Sequence, residues 1–107
     1  MIVQRAYLNR ESDLMVEVAG TVVRILADQR GDAPQQRFVI ELRDSRRLTV
    51  LHDLRSGDRV PIALGDQVTV RGEYRWSEPG GSLHWTHREG RRDERDGWIR
   101  HEGRRYD

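Results

Sequence analysis

Apolar and polar residues alternate with period two through most of the first 87 positions, the spacing of strands that bury one face. In the segment Val16–Leu26 the apolar phase runs Val16, Val18, Gly20, Val22 and then shifts to Val23 and Ile25. That shift predicts a bulge or sharp bend just after Gly20, the device by which one strand is shared across the corner of a barrel. From Gln36 to Arg43 the alternation is clean, with Phe38, Ile40 and Leu42 on one face and Arg37, Glu41 and Arg43 among the polar positions. Asp44-Ser45 is a tight connection, and Leu48 and Val50 mark a third strand that ends near His52. Residues 53–65, rich in Asp, Gly and Pro, form a long connector. The fourth strand, Gln67–Trp76, sets Val68, Val70, Gly72, Tyr74 and Trp76 against Thr69, Arg71, Glu73 and Arg75. Glu78-Pro79-Gly80-Gly81 is a turn signal, and Ser82–His87 completes a hairpin. Five strands with one break, between the third and fourth, predict a mostly-β fold: a single small five-stranded OB-type barrel, with a β-sandwich as the rival.

The ends of the chain follow other patterns. Residues 1–15 form an N-terminal segment, in which 9–15 predicts a short helix capped by Asn9 or Ser12. Residues 16–87 make the barrel, and 88–107 an irregular C-terminal extension. Every residue from Arg88 to Asp96 except Gly90 is charged, four positive and four negative, which reads as a solvated loop. Trp98, Ile99 and Tyr106 are the anchors expected to hold this extension against the barrel, with Glu102-Gly103 as a turn.

Composition narrows the classes. Val, Ile, Leu and Phe account for 25 of 107 residues, and the net charge is only +1, so the chain has the means to fold despite 35% charged residues. All 19 basic residues are arginine, whose planar fork of donors suits phosphates and carboxylates. The 18 acidic residues nearly cancel them, so an anion-binding surface must come from local arrangement rather than bulk charge. The absence of cysteine excludes disulfides, thiolate metal sites and thiol nucleophiles. The N-terminal residues hold no run resembling a signal peptide and no stretch is long and apolar enough for a membrane span, so the expected location is cytoplasmic, with no membrane partner.

Candidate chemistry gathers late in the chain. His52, His84, His87 and His101 are the titratable groups suited to acid-base work on a phosphate, the last three within 18 residues of one another. His84 and His87 could hold a divalent metal only if the strand ends or bulges between them, because a regular strand sends them to opposite faces. No other cofactor is implied. Trp76, Trp85 and Trp98 could stack on bases, with Arg71 and Arg75 lining a positive groove and Arg37 adding a further guanidinium. Asp53, Asp58 and Asp66 fit turn positions. Walker loops, dinucleotide fingerprints and nucleophile elbows are all missing.

The segments Gly80-Gly81-Ser82-Leu83-His84-Trp85-Thr86-His87 and Gly97-Trp98-Ile99-Arg100-His101-Glu102-Gly103, with Tyr106, resemble a bacterial family of small proteins of unknown function, DUF3465. The resemblance extends to Gly20-Thr21-Val22-Val23, Arg37-Phe38, His52 and Gly72-Glu73-Tyr74-Arg75-Trp76, and covers roughly residues 18–107. The family pattern often has His at the position of Gln35 and Asn at that of Asp53, and many members begin with a secretion signal. The resemblance implies an OB-type barrel and a shared polar set of Arg37, His52, His84, His87 and His101.

The expectation is therefore an OB-type module that binds a phosphate-bearing ligand such as a nucleotide or single-stranded nucleic acid. Its ligand-binding residues would be Arg37, Trp85, Trp98, Arg71 and Arg75. The alternative is a small nuclease or phosphodiesterase working through His84, His87, His101 and His52, with or without a metal. A protein-interaction domain is the third reading.

Overall fold

The computed structural model describes residues 2–10, 12, 14–55, 58–78, 80–84, 86 and 97–107. Among these residues are one short helix, α1 (Ile2–Leu8), and seven strands: β1 (Leu14–Gln29), β2 (Gln35–Glu41), β3 (Arg47–Asp53), β4 (Gln67–Arg75), β5 (Ser82–His84), β6 (Trp98–His101) and β7 (Arg104–Tyr106). The fold is mostly β. Its strands follow the order β1-β2-β3-β5-β4-β6-β7, and β1 also pairs with β4. The first five strands thus close into a ring, and β6 and β7 continue the sheet outward from β4.

Closure depends on β1 serving two partners. Residues Leu14 to Thr21 pair with β4, and Thr21 to Gln29 pair with β2, so Thr21 lies opposite both Glu41 and Gln67. At the changeover the sheet folds on itself, and a Cβ placed on Gly20 would lie 3.0 Å from the Glu41 carbonyl oxygen and 3.2 Å from the Ile40 Cβ. The predicted irregularity is present, but between Val22 and Arg24 rather than directly after Gly20. Val16, Val18, Gly20 and Val22 keep one inward phase, while Ile25 is half exposed. The bend therefore does not return Ile25 to the core, because this part of β1 pairs only with β2 and projects past the ring.

The core takes the alternate residues of each strand: Phe38 and Ile40 from β2, Leu48 and Val50 from β3, Val68, Val70 and Tyr74 from β4, Leu83 from β5 and Ile99 from β6. Each end of the ring is plugged. At one end α1 buries Val3 and Ala6, and Tyr7 stacks on Trp76 with ring centroids 6.2 Å apart. The helix lies earlier than the 9–15 expected, because Val3 and Ala6 share a face at helical spacing whereas Leu14 and Met15 are taken into the ladder with β4. At the other end Val60 inserts from the β3–β4 connector, which carries no helix among its described residues. The buried Gln36 side chain grips it from both sides, donating to the Val60 carbonyl at 2.8 Å and accepting from the Val60 N–H at 2.9 Å.

Of the strand expected over Ser82–His87, Ser82–His84 forms β5, which pairs parallel to β3 as well as antiparallel to β4; Thr86 is not in a strand, and residues 85 and 87 lie outside the described residues. One further expectation is corrected. The extension is not irregular at 98–106: β6 pairs antiparallel with β4 from Val68↔His101 to Arg71↔Trp98, and β7 folds back on β6 through the Glu102-Gly103 turn. Ile99 supplies the reason, since burying it against Val70 also satisfies the free edge of β4.

The connection from β4 into β5 is the tightest point in the ring. A methyl group on Gly80 would overlap the Arg47 carbonyl oxygen, and the Tyr74 hydroxyl donates to the Gly80 carbonyl at 3.2 Å. Gly80→Ala is therefore expected to cost about 2 kcal/mol or more, because the neighbour is backbone and cannot swing away. The urea midpoint at unchanged slope measures it.

Candidate functional site

Two polar clusters occupy the outward face of β4, one toward each end. On the β4–β6–β7 side, Ile99 faces the core opposite Val70, so its neighbours Trp98 and Arg100 turn outward. Trp98 pairs with Arg71, and Arg100 lies directly across from Arg105. The Arg100 guanidinium sits 4.8 Å from the Trp98 ring centre and that of Arg105 5.4 Å from it. Trp98 is consequently only 7% exposed: arginines cover the indole. Arg105 also meets Asp107 at 3.2 Å, whereas Arg100 has no carboxylate partner among the described residues. Stacking occupies only the guanidinium faces, so the N–H groups at their edges, apart from the Arg105 Nε–H that meets Asp107, are left to bond an anion.

At the other end of β4, Glu73 pairs with His84 and Arg75 with Ser82. Arg75 Nε donates to Glu73 at 2.9 Å, and Ser82 Oγ lies 2.9 Å from His84 Nε2. Burial pushes the His84 pKa below its ordinary value, the Arg75 charge pushes it the same way, and Glu73 opposes both. Arg37 is not part of this cluster. It lies on β2, with β3 between it and β5, and its Nε donates to the Ala27 carbonyl at 2.8 Å.

The remaining described histidines each have a separate setting. His52 continues the inward phase of Leu48 and Val50 and is fully buried. Its Nε2 lies 2.8 Å from the Asp58 carbonyl, which only accepts, so that nitrogen carries the hydrogen. Its Nδ1 lies 2.8 Å from the Thr86 hydroxyl. The ring thereby joins the β3–β4 connector to the chain just beyond β5. His101 continues the inward phase of Ile99 and meets Asp66 Oδ2 through Nε2 at 2.7 Å. The same oxygen accepts from the Ala63 N–H at 2.9 Å. These two bonds, His101 first, hold the Asp66 carboxyl below its usual pKa. Asp66, His101 and Glu102 each offer a ligand atom, and these lie within 4.8 Å of one another.

The family model described as a protein of unknown function, DUF3465, matches residues 1–107. The chain belongs to this family. No curated protein and no solved structure matches the chain. Of the residues singled out by sequence, Trp98 and Arg71 come together, as do His84 and Arg75; His52, His101 and Arg37 lie apart from both pairs. Trp85 and His87 fall outside the described residues, and with His87 goes any statement on the His84–His87 metal pair. In the sequence Asp66 and Glu102 read only as turn residues, and Arg100 and Arg105 carry no site signal. The alternation Trp98-Ile99-Arg100 already places Trp98 and Arg100 on one face, but the register that brings up Arg105 is set only by the β6–β7 turn.

Two measurements follow from these environments. His52→Leu strands the Asp58 carbonyl and the Thr86 hydroxyl, and should cost about 3 kcal/mol in urea denaturation. The His84 pKa is lowered in the folded chain, so between its ordinary value near 6.5 and its lower folded value the unfolded chain binds more protons. Stability should be fully present above about pH 6.5 and decline as pH falls through that window. His84→Gln should flatten that decline, and an NMR titration of the ring should give a midpoint below that of a free histidine.

Proposed function

We propose that this chain is an OB-type module that binds a phosphate-bearing ligand, a nucleotide or single-stranded nucleic acid, on the face of Arg71, Trp98, Arg100 and Arg105. The ring order β1-β2-β3-β5-β4, closed by β1 on β4, supports the OB-type reading. The observation that carries the ligand reading is the cross-strand pair Arg100↔Arg105 over a single indole. Like charges directly opposite one another destabilise a hairpin. One carboxylate, Asp107, stands beside one of the two. An anion between the guanidiniums removes the repulsion and accepts from both edges, and phosphate has the oxygen geometry to bond each in bidentate fashion. A base of the same ligand would stack on Trp98 once Arg100 or Arg105 swings outward to a phosphate.

The face is small, and the overall charge is close to neutral. Binding should therefore be weak, with few phosphate contacts and a correspondingly shallow salt slope. Fluorescence anisotropy with labelled single-stranded DNA and RNA tests this, each probe then being run on a denaturing gel. Arg100→Ala and Arg105→Ala should each lower affinity about tenfold and reduce the salt slope by about one. Full affinity in a folded Arg100→Ala/Arg105→Ala double variant would sink the proposal. A probe shortened by the wild type and left intact by His84→Ala would replace it with the phosphodiesterase reading. Absence of any anion binding, with stable co-purification of one protein, would replace it with the interaction-domain reading.

A further inference from the structure

We propose that Asp66, His101 and Glu102 form a binding site for one divalent first-row transition-metal ion, in a place separate from the arginine-covered face. The three residues come from two parts of the chain: Asp66 closes the β3–β4 connector, His101 ends β6 and Glu102 opens the turn to β7. His101 points to the inward side of β6 whereas Trp98 and Arg100 point outward, so neither proposal depends on the other.

The donor set is one imidazole and two carboxylates. Imidazole favours zinc, copper, iron and nickel over magnesium and calcium, and carboxylates admit zinc and manganese. Ligand atoms around a tetrahedral ion at about 2.0–2.1 Å stand about 3.4 Å from one another. Here the three lie within 4.8 Å, so the widest separation must close by about 1.4 Å to reach that geometry. Exposed Glu102 can supply that movement by a change of rotamer, while buried His101 stays fixed. The 2.7 Å contact between His101 Nε2 and Asp66 Oδ2 must open slightly. Coordination through Nε2 also requires that nitrogen to give up its hydrogen; the neutral ring then carries its one hydrogen on Nδ1. Three protein ligands leave a fourth position for water.

The choice of glutamate at position 102 is the feature a plain hairpin does not call for. Glu102 has φ +50° and Gly103 φ +80°, the two left-handed residues of a tight hairpin turn. Asn, Asp and Gly take the first of these positions readily, and glutamate does not. In an extended strand, adjacent side chains at 101 and 102 would point apart. The left-handed turn instead sets a Glu102 carboxylate oxygen within reach of both His101 and Asp66. A residue poor for the turn is therefore one that completes a ligand set.

The test uses the full chain stripped with EDTA and titrated with Zn2+ and with Mn2+ by calorimetry, alongside thermal unfolding. One ion per chain and a rise in Tm are expected, because the ion ties the connector to the β6–β7 hairpin and binds only the folded chain. Asp66→Asn and Glu102→Gln should each lower affinity at least about tenfold, as loss of a supporting contact alone already does in metal sites. Glu102→Gln changes an exposed side chain and keeps the backbone, so it remains informative if Asp66→Asn fails to fold. Glu102→Asn separates the two roles of this position. It should raise the Tm of the stripped protein by easing the turn and remove most of the metal-dependent rise. No heat and no Tm shift at millimolar ion would overturn the proposal, as would wild-type affinity in Glu102→Gln.

Discussion

The fold depends on one strand serving two ladders. β1 spends its first half on β4 and its second half on β2, and the corner between them is where Gly20 lets the Ile40–Glu41 backbone approach closely. Without that changeover the sheet has two open edges and no enclosed interior. With it, the alternate residues of five strands point at one another, and both ends need covering. α1 covers one end through Val3 and Ala6, and the connector covers the other through Val60. Gln36 and His52, both buried and both hydrogen-bonded to that connector, are polar residues used to fix a loop in place of a packed helix.

Arginine explains how so charged a chain keeps its aromatic residues away from water. Arg10 lies over Trp76, Arg46 over Tyr7, Arg104 over Tyr106, and Arg100 and Arg105 over Trp98. A flat guanidinium can cover a ring and still present its edge to solvent, which a compact ammonium group cannot do as well. The exclusive use of arginine is therefore physically consequential here, whatever its origin. It lets a domain with a small core extend its apolar interior outward at its rim. At Trp98 the covering is doubled, and two like charges are held face to face across a hairpin.

The described histidines show how far environment outweighs residue type. His52 is buried between the Asp58 carbonyl and the Thr86 hydroxyl and serves as an internal strut. His84 is half-buried beside a glutamate and an arginine that pull its titration in opposite directions. His101 holds a carboxylate at the junction of connector and hairpin. The nearness of His84 and His101 in sequence suggests a single centre, but strand alternation and the intervening β4 separate them. Among the described residues no helix is long and apolar enough to cross a membrane.

Local alternation by itself determined most of β1 to β4, with their inward faces and turns. Phe38, Ile40 and Leu42, or Val68, Val70 and Tyr74, can bury together only in extended chain, and that fact is written in their spacing. The same alternation placed His52 in the phase of Leu48 and Val50, a sign of its burial that its chemistry obscured. The Glu102-Gly103 turn was equally legible. The helix at 2–8 was not, because a seven-residue helix is held by what it covers rather than by its own propensity. Nor were the pairings that make the candidate sites. Arg105 reaches Trp98, and Asp66 reaches His101, through registers set by ring closure and by the docking of β6 on β4. Periodicity is a property of neighbours along the chain and survives in the sequence. Juxtaposition across strands depends on which edges are left to pair once the core has closed, and only the tertiary structure decides that.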